Sequence, residues 1–305
     1  MSSDPFADLA RSLNTFCGAL RDVIKEYPAP QPGSPAEKES AGEPLAGEWG
    51  QHPSRNTRAA ILLTAVSCAD HLAACADVIT ARRAAAALYT LTRSSVEAAA
   101  TSCYLLDRGI DAAERVRRYM NWRLDGLSEE MNLAAGLDGP DAAAYLIQAG
   151  ARADAIARGA SQHGLEFHGR KGYRAAYIGD KPLHATKLIE RCASATPGLG
   201  AAYQRLLSAV VHAQSNGLTR LVLPMPTPAG SDPEVTHVTP RVQVNITANK
   251  AALDLLAGPL CASSVIEGLF PFFGWDMDLI SSAVIRMLYT WGRIAGTPYP
   301  GPERR

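Results

Sequence analysis

One short run, YQRLLSAVVHAQSN from Tyr203 to Asn216, sets an arginine, a serine and a histidine among leucine, alanine and valine. An arginine keeps its proton throughout the physiological range and grips phosphate through two N–H groups. A histidine titrates near neutrality and moves protons. At about 100° per residue, Arg205, Ser208, His212, Ser215 and Asn216 share one stripe of a helix, opposite Leu206, Leu207, Val210 and Val211. Two turns apart on one face, Arg205 and His212 would bracket a phosphodiester, with Ser208 and Tyr203 as supporting residues. A plainer reading stands beside it: a polar seam in a helical core, with the histidine and the arginine each bonded to a neighbouring acid.

Other constellations bear on the same question. Arg93 and Glu97 are spaced for an ion pair within one helix. Alternatively Glu97 faces the seam and orients His212 or pairs with Arg205, which makes Glu97 a third candidate for chemistry. Asp70 and His71 would join the seam or bond locally. In ERVRRYMNWR, Glu114 and Arg118 are spaced for an ion pair and Arg118 and Trp122 for a cation–π contact, on what reads as a solvated helix face. The run HGLEFHGRKGYRAAYIGDK interleaves His163, His168, Arg170, Lys171, Arg174 and Lys181 with Phe167, Tyr173 and Tyr177. Bases stack on aromatic rings while cations hold phosphates, so Arg170, Lys171, Tyr173 and Arg174 are candidates for nucleic-acid binding. A polar surface connection is the alternative.

No metal or cofactor is expected. His163, Glu166 and His168 lack the regular spacing of a zinc site, and the chain lacks the two Glu-x-x-His runs of the di-iron bundle type. Phosphate-binding loops, dinucleotide fingerprints and the serine-hydrolase elbow are also missing from the sequence.

These residues must be positioned by a chain of 305 residues that is 47% hydrophobic and carries no net charge. Bulk attraction to nucleic acid is therefore excluded, and any such contact must be local. Cys17, Cys68, Cys75, Cys103, Cys192 and Cys261 form no CxxC pair and mostly sit in apolar runs, which predicts a reduced, cytoplasmic protein without disulfides. The N-terminus has no basic start and no long apolar run, so it does not read as a signal peptide. Ala59 to Thr80 is the most apolar window, but Asp70, His71 and Asp77 within it predict a buried helix rather than a membrane span.

The patterning predicts an all-α, multi-helix bundle of about seven to nine helices. An N-terminal helix occupies 1–27, with Asp4 as its cap before Pro5. Residues 28–54, rich in proline, glycine and glutamate, read as a flexible linker from which Trp49 docks on the body. The main helical domain covers 55–296, with caps expected at Ser54, Asp111 and Asp141. A β-hairpin-like arm is expected near 220–247, where RLVLP and RVQVNIT alternate across a Pro/Gly/Asp region. Residues 297–305 read as a disordered tail.

Arg205, six intervening residues and His212 resemble the R-x4–6-H motif of the HEPN superfamily. Leu206 stands where many active members carry a polar residue. RSSVEAAATSCYLLD, ERVRRYMNWRL and YQRLLSAVVH also resemble uncharacterised helical bacterial proteins across roughly residues 88 to 216. The HEPN resemblance implies an all-α fold, a homodimer, RNA as partner and metal-independent ribonuclease or RNA-binding activity of toxin or defence type. His212 would then be the base on a ribose 2′-hydroxyl, and Arg205 would hold the scissile phosphate. Two other functions stay open: a non-catalytic helical interaction or assembly protein, and a small-molecule binder or enzyme with a pocket around Glu97, His212 and Tyr203.

Overall fold

The computed structural model describes residues 4–169, 176–193, 198–223, 243–244 and 246–297. The first helix, α1 (Pro5–Glu26), starts where the sequence signals it: the Asp4 carboxylate accepts from the Phe6 N–H at 3.2 Å and Pro5 opens the first turn. Leu9, Leu13, Phe16 and Leu20 then recur at helical spacing and are buried.

The stretch 28–54, expected to be a flexible linker, is instead folded against the body. It contains α2 (Pro35–Gly42), capped by Ser34, whose hydroxyl accepts from the Glu37 N–H at 3.2 Å. The Gln31 N–H donates to the Phe273 carbonyl at 2.9 Å, Glu39 pairs with Arg115 at 3.2 Å, and the Trp49 indole N–H donates to the Ile156 carbonyl at 2.9 Å. Trp49 fits because Gly159 lies under its ring: a Cβ there would meet the indole at 2.1 Å.

Next come α3 (Pro53–Ala81) and α4 (Ala85–Leu105), an antiparallel pair whose facing residues include Ile61, Cys68, Leu72, Ile79, Leu88, Tyr89 and Val96, all buried. Ser54 is not the cap of α3. The helix opens one residue earlier at Pro53, and the buried Ser54 hydroxyl finds no hydrogen-bond partner among the described residues. By length and composition α3 would cross a membrane, with mean hydropathy 1.6 in its most apolar window, but half of that window (50%) is buried inside the bundle.

A second antiparallel pair follows, α5 (Ala112–Ala135) and α6 (Pro140–Gln162). Asp111 caps α5 by accepting from the Glu114 N–H at 2.8 Å. Asp141 lies in the first turn of α6 rather than at its cap, because Pro140 already starts the helix. A small antiparallel ladder joins β1 (Phe167–His168) and β2 (Tyr177–Ile178). Then come α7 (Ala185–Cys192), α8 (Leu199–Val211), the short α9 (Ser215–Leu218), β3 (Val222–Leu223) and β4 (Gln243–Val244).

Strands β3 and β4 pair antiparallel, Val222 opposite Val244, so a two-stranded element stands where the 220–247 arm was expected; most of the arm lies outside the described residues, as do 298–305 of the tail. Finally α10 (Ala248–Asp254), α11 (Ala257–Phe273) and α12 (Ser281–Ala295) close the bundle. The α12 Trp291 indole N–H donates to the Ser12 hydroxyl of α1 at 3.2 Å, tying the two ends of the chain together.

The fold is therefore all-α with two small hairpins. Twelve α-helices stand among the described residues, more than expected. The excess has physical causes: α2 lies in the supposed linker, the Tyr203–Asn216 helix breaks in two, and a 47° bend separates α10 from α11.

Candidate functional site

The α8 helix stops at Val211, so the stripe drawn through Ser215 and Asn216 is not continuous. His212 caps it. The Ala213 N–H donates to the Val210 carbonyl at 3.0 Å and the Gln214 N–H to the Ala209 carbonyl at 2.9 Å, with Ala213 in the left-handed region at φ 53°. This is the hydrogen-bond pattern of a Schellman turn, with alanine where glycine usually stands. The turn delivers the His212 side chain to the surface beside α4.

There His212 Nε2 lies 3.1 Å from Nη1 of Arg93, and Arg93 Nε lies 2.8 Å from Glu97 Oε1. A guanidinium has donors only, so Nε2 must be the acceptor and the ring proton sits on Nδ1. Glu97 therefore pairs with Arg93 one turn away, and neither contacts His212 nor pairs with Arg205 in the bonded pattern. Arg93 stands between the two residues for which the sequence offered a direct contact. The i,i+4 spacing to Glu97 signalled the ion pair; nothing local signalled the contact to a helix 119 residues downstream.

Arg205 is exposed two turns before His212 and makes no hydrogen bond or ion pair among the described residues. Ser208 contributes its carbonyl, which accepts the His212 N–H at 2.9 Å, and its hydroxyl bonds to nothing described. Tyr203 turns away: its hydroxyl donates to the Leu253 carbonyl at 2.9 Å on α10, and burial pushes its pKa up to about 12. It anchors α8 and does not support His212. Asp70 pairs with Arg21 of α1 at 2.8 Å and stays outside the site.

The basic run is only partly described. Its stem stacks His168 on Tyr177 at 4.6 Å, and Asn121 on α5 holds Ile178 with two hydrogen bonds, accepting at 2.7 Å and donating at 3.1 Å. Arg170, Lys171, Tyr173 and Arg174, the candidate nucleic-acid residues, lie outside the described residues.

The ERVRRYMNWR face is not solvated. Arg115 is 4% and Arg117 8% exposed, and with Arg118 they satisfy backbone carbonyls left over at two turns. Arg115 donates to Leu105, Asp107 and Ile110 carbonyls; Arg117 to Ile178 and Asp180; Arg118 to Tyr104 at 2.9 Å. Glu114 bridges Arg117 at 2.6 Å and Arg118 at 2.8 Å. Burial alone would raise the Glu114 carboxyl, but the hydrogen bonds from Arg117 and Arg118 outweigh it and leave it below its ordinary range. Glu39 goes the other way: its burial beside Arg115 outweighs the attraction and raises it. Arg118 stacks over Tyr104 at 4.4 Å instead of Trp122. These are positioning contacts, made to the protein's own carbonyls and carboxylates.

Comparison with known protein families, with curated proteins and with solved structures finds no match. The site is therefore read from its own chemistry. Among the described residues no group of His, Cys, Asp and Glu is arranged to hold a metal. Five clefts among the described residues are lined by other side chains, such as Asp4, Phe6 and Arg82 or Cys103, Tyr104 and Arg191. His212 is exposed, Arg93 and Glu97 of α4 are half-buried next to it, and Arg205 is exposed two turns back on the helix that His212 caps.

Proposed function

We propose that the α4–α8 surface is an RNA-facing site of HEPN type, at which His212 acts as base in a metal-independent cleavage and Arg93 and Arg205 hold the phosphate. The observation that carries this is the 3.1 Å contact between Arg93 and His212 Nε2 on an open face. In the free protein Glu97 balances Arg93, and Arg93 occupies the Nε2 lone pair. A phosphodiester draws the guanidinium to its oxygens by charge-assisted bonds and leaves Nε2 free. Nε2 then takes the 2′-hydroxyl proton, the 2′-oxygen attacks phosphorus, and the 5′-oxygen leaves and takes a proton from water, giving a 2′,3′-cyclic phosphate. An open surface suits a polymer better than a small molecule, and a second copy would supply the missing wall. Six free thiols suit a reducing, cytoplasmic setting.

The test is cleavage of single-stranded RNA in EDTA, with product ends identified, alongside anisotropy binding. Wild type should give cyclic phosphate ends, His212→Ala should lose about 100-fold or more in rate, a loss on the scale of a general base, and Arg205→Ala and Arg93→Ala should weaken binding. Cleavage unchanged in His212→Ala removes this site. Binding without cleavage, lost in Arg205→Ala, leaves a non-catalytic RNA-binding protein.

A second reading, a helical interaction protein, is favoured by the α5–α6 tip. Leu133, Leu137 and Tyr145 are exposed there around an apolar cleft of about 240 Å³. Sedimentation of wild type against Leu137→Glu distinguishes it: an association that this change abolishes while RNA binding persists assigns the tip to assembly.

A further inference from the structure

Cys103 on α4 and Cys192 at the end of α7 bring their Sγ atoms to 3.1 Å across 89 residues of sequence, and both are free thiols. Their surroundings differ. Cys103 is half-buried and borders two adjoining clefts of about 300 and 260 Å³. Arg191 lines both clefts and makes no hydrogen bond among the described residues, so a cation stands beside the accessible sulfur. Cys192 is 2% exposed and sits between Cys103 and Cys261, with its Sγ 3.8 Å from the Cys261 carbonyl. Hydrogen-bonded to Cys103, then to Cys261, and shut off from water, it holds its proton more tightly than a free thiol. The pair is thus asymmetric, with one reachable sulfur near a cation and one buried sulfur in contact with it, whose own S–H is directed at the Cys261 carbonyl.

The other sulfurs have no such access. Cys17 donates to the Ala69 carbonyl at 3.1 Å, Cys68 lies 3.3 Å from the Ser95 hydroxyl and Cys75 3.6 Å from that of Thr92. All three are buried, and burial pushes Cys17 and Cys75 up to about 12. Reactivity follows thiolate character and access, so they are inert.

We propose that Cys103 and Cys192 are a reversible oxidation site for small hydroperoxides, Cys103 being oxidised first and Cys192 resolving it. The Cys103 thiolate attacks the peroxide oxygen; an S–O bond forms, the O–O bond breaks, and the alkoxide or hydroxide leaves and takes a proton from water. The Cys192 sulfur then attacks the Cys103 sulfur. The S–S bond forms, the S–O bond breaks, and hydroxide departs as water with the proton that Cys192 releases. Two thiols and one hydroperoxide give one disulfide, one alcohol or water, and one water; the two electrons pass from sulfur to the peroxide. Two equivalents of a small thiol reverse it, leaving as their own disulfide. The sulfurs need approach by only about 1 Å more to reach bonding distance, and the bond ties α7 to α4.

The experiment uses the full chain and does not read RNA cleavage, so its outcome is independent of the function proposed above. Protein is treated with equimolar hydrogen peroxide, denatured in N-ethylmaleimide, digested and mapped by mass spectrometry. The expected product is a Cys103–Cys192 linked peptide, lighter than its two halves by two hydrogens and lost on phosphine reduction, with Cys17, Cys68 and Cys75 alkylated. In Cys192→Ser, Cys103 should stop at a sulfenic acid that dimedone captures. The proposal is overturned if Cys192 links to Cys261 instead, if Cys103 proceeds to sulfinic acid while Cys192 stays alkylatable, or if both thiols remain free. The wild-type map alone decides this, whether or not the variant folds.

Discussion

Ala213 holds the left-handed conformation at φ 53° to close the turn that presents His212. For an L-residue this conformation costs about 1–2 kcal/mol, whereas glycine adopts it freely at an extra backbone entropy of about 0.5–1 kcal/mol. The first effect is larger. Ala213→Gly is therefore expected to stabilise the protein by about 0.5–1 kcal/mol, seen as a higher urea midpoint with an unchanged m-value. A lower midpoint would mean that the turn is not held as described. The same residue explains why the break in YQRLLSAVVHAQSN was illegible in the sequence. A glycine at 213 would have announced a helix end; alanine, the best helix former, announces continuation. Arg205 and His212 were legible as polar residues two turns apart, and both are exposed. Arg93 was not legible as the neighbour of His212, because that contact depends on how α4 and α8 pack.

At the scale of elements, α5 is the piece that sequence periodicity misassigned. Asp111 and Glu114 gave its start correctly, since a cap is a local hydrogen bond. The burial of Arg115 and Arg117 is not local. It comes from carbonyls at Leu105–Ile110 and Ile178–Asp180 that need donors, and no pattern within α5 records them. This network makes a pH prediction. Glu114 and Asp107 both titrate lower in the folded protein than their ordinary values of 4.5 and 3.8: burial opposes this at each, and the hydrogen bonds to Arg117 and Arg118, with the Gly109 N–H for Asp107, outweigh it. A depressed folded pKa means that the unfolded chain binds more protons in this range, so stability is present above the ordinary values and lost as pH falls through the depressed ones. Denaturation midpoints should fall steeply below about pH 4.5 in wild type and less steeply in Glu114→Gln. The same substitution should cost stability at pH 7, because it leaves Arg117 buried with a weaker partner. An acid limb unchanged in Glu114→Gln would locate the titration elsewhere.

For the whole molecule the decisive feature is the path of residues 28–54. Their composition is that of a solvated chain, and nothing within the segment would bury enough apolar area to order it alone. Order comes from distant partners instead: Phe273 for Gln31, Arg115 for Glu39, and α6 for Trp49. Trp49 is the largest of these anchors, 5% exposed and seated on Gly159. Removing a buried tryptophan side chain costs about 3–5 kcal/mol. If the loss is confined to this segment, 3 kcal/mol raises its open population by about 100-fold. Lys38 on α2 is exposed but held in a helix, so trypsin must wait for local opening before it cuts there. Limited trypsinolysis followed by mass spectrometry should find Lys38 resistant in wild type and cut about 100-fold faster in Trp49→Ala, with the core fragments surviving in both. Gly159→Ala should do the same with Trp49 left in the chain, since its methyl group would occupy the space the ring fills. Rapid cutting at Lys38 in the wild-type protein would return the segment to a tether, and α1 would then be held to the body by its own contacts with α3, α12 and α10.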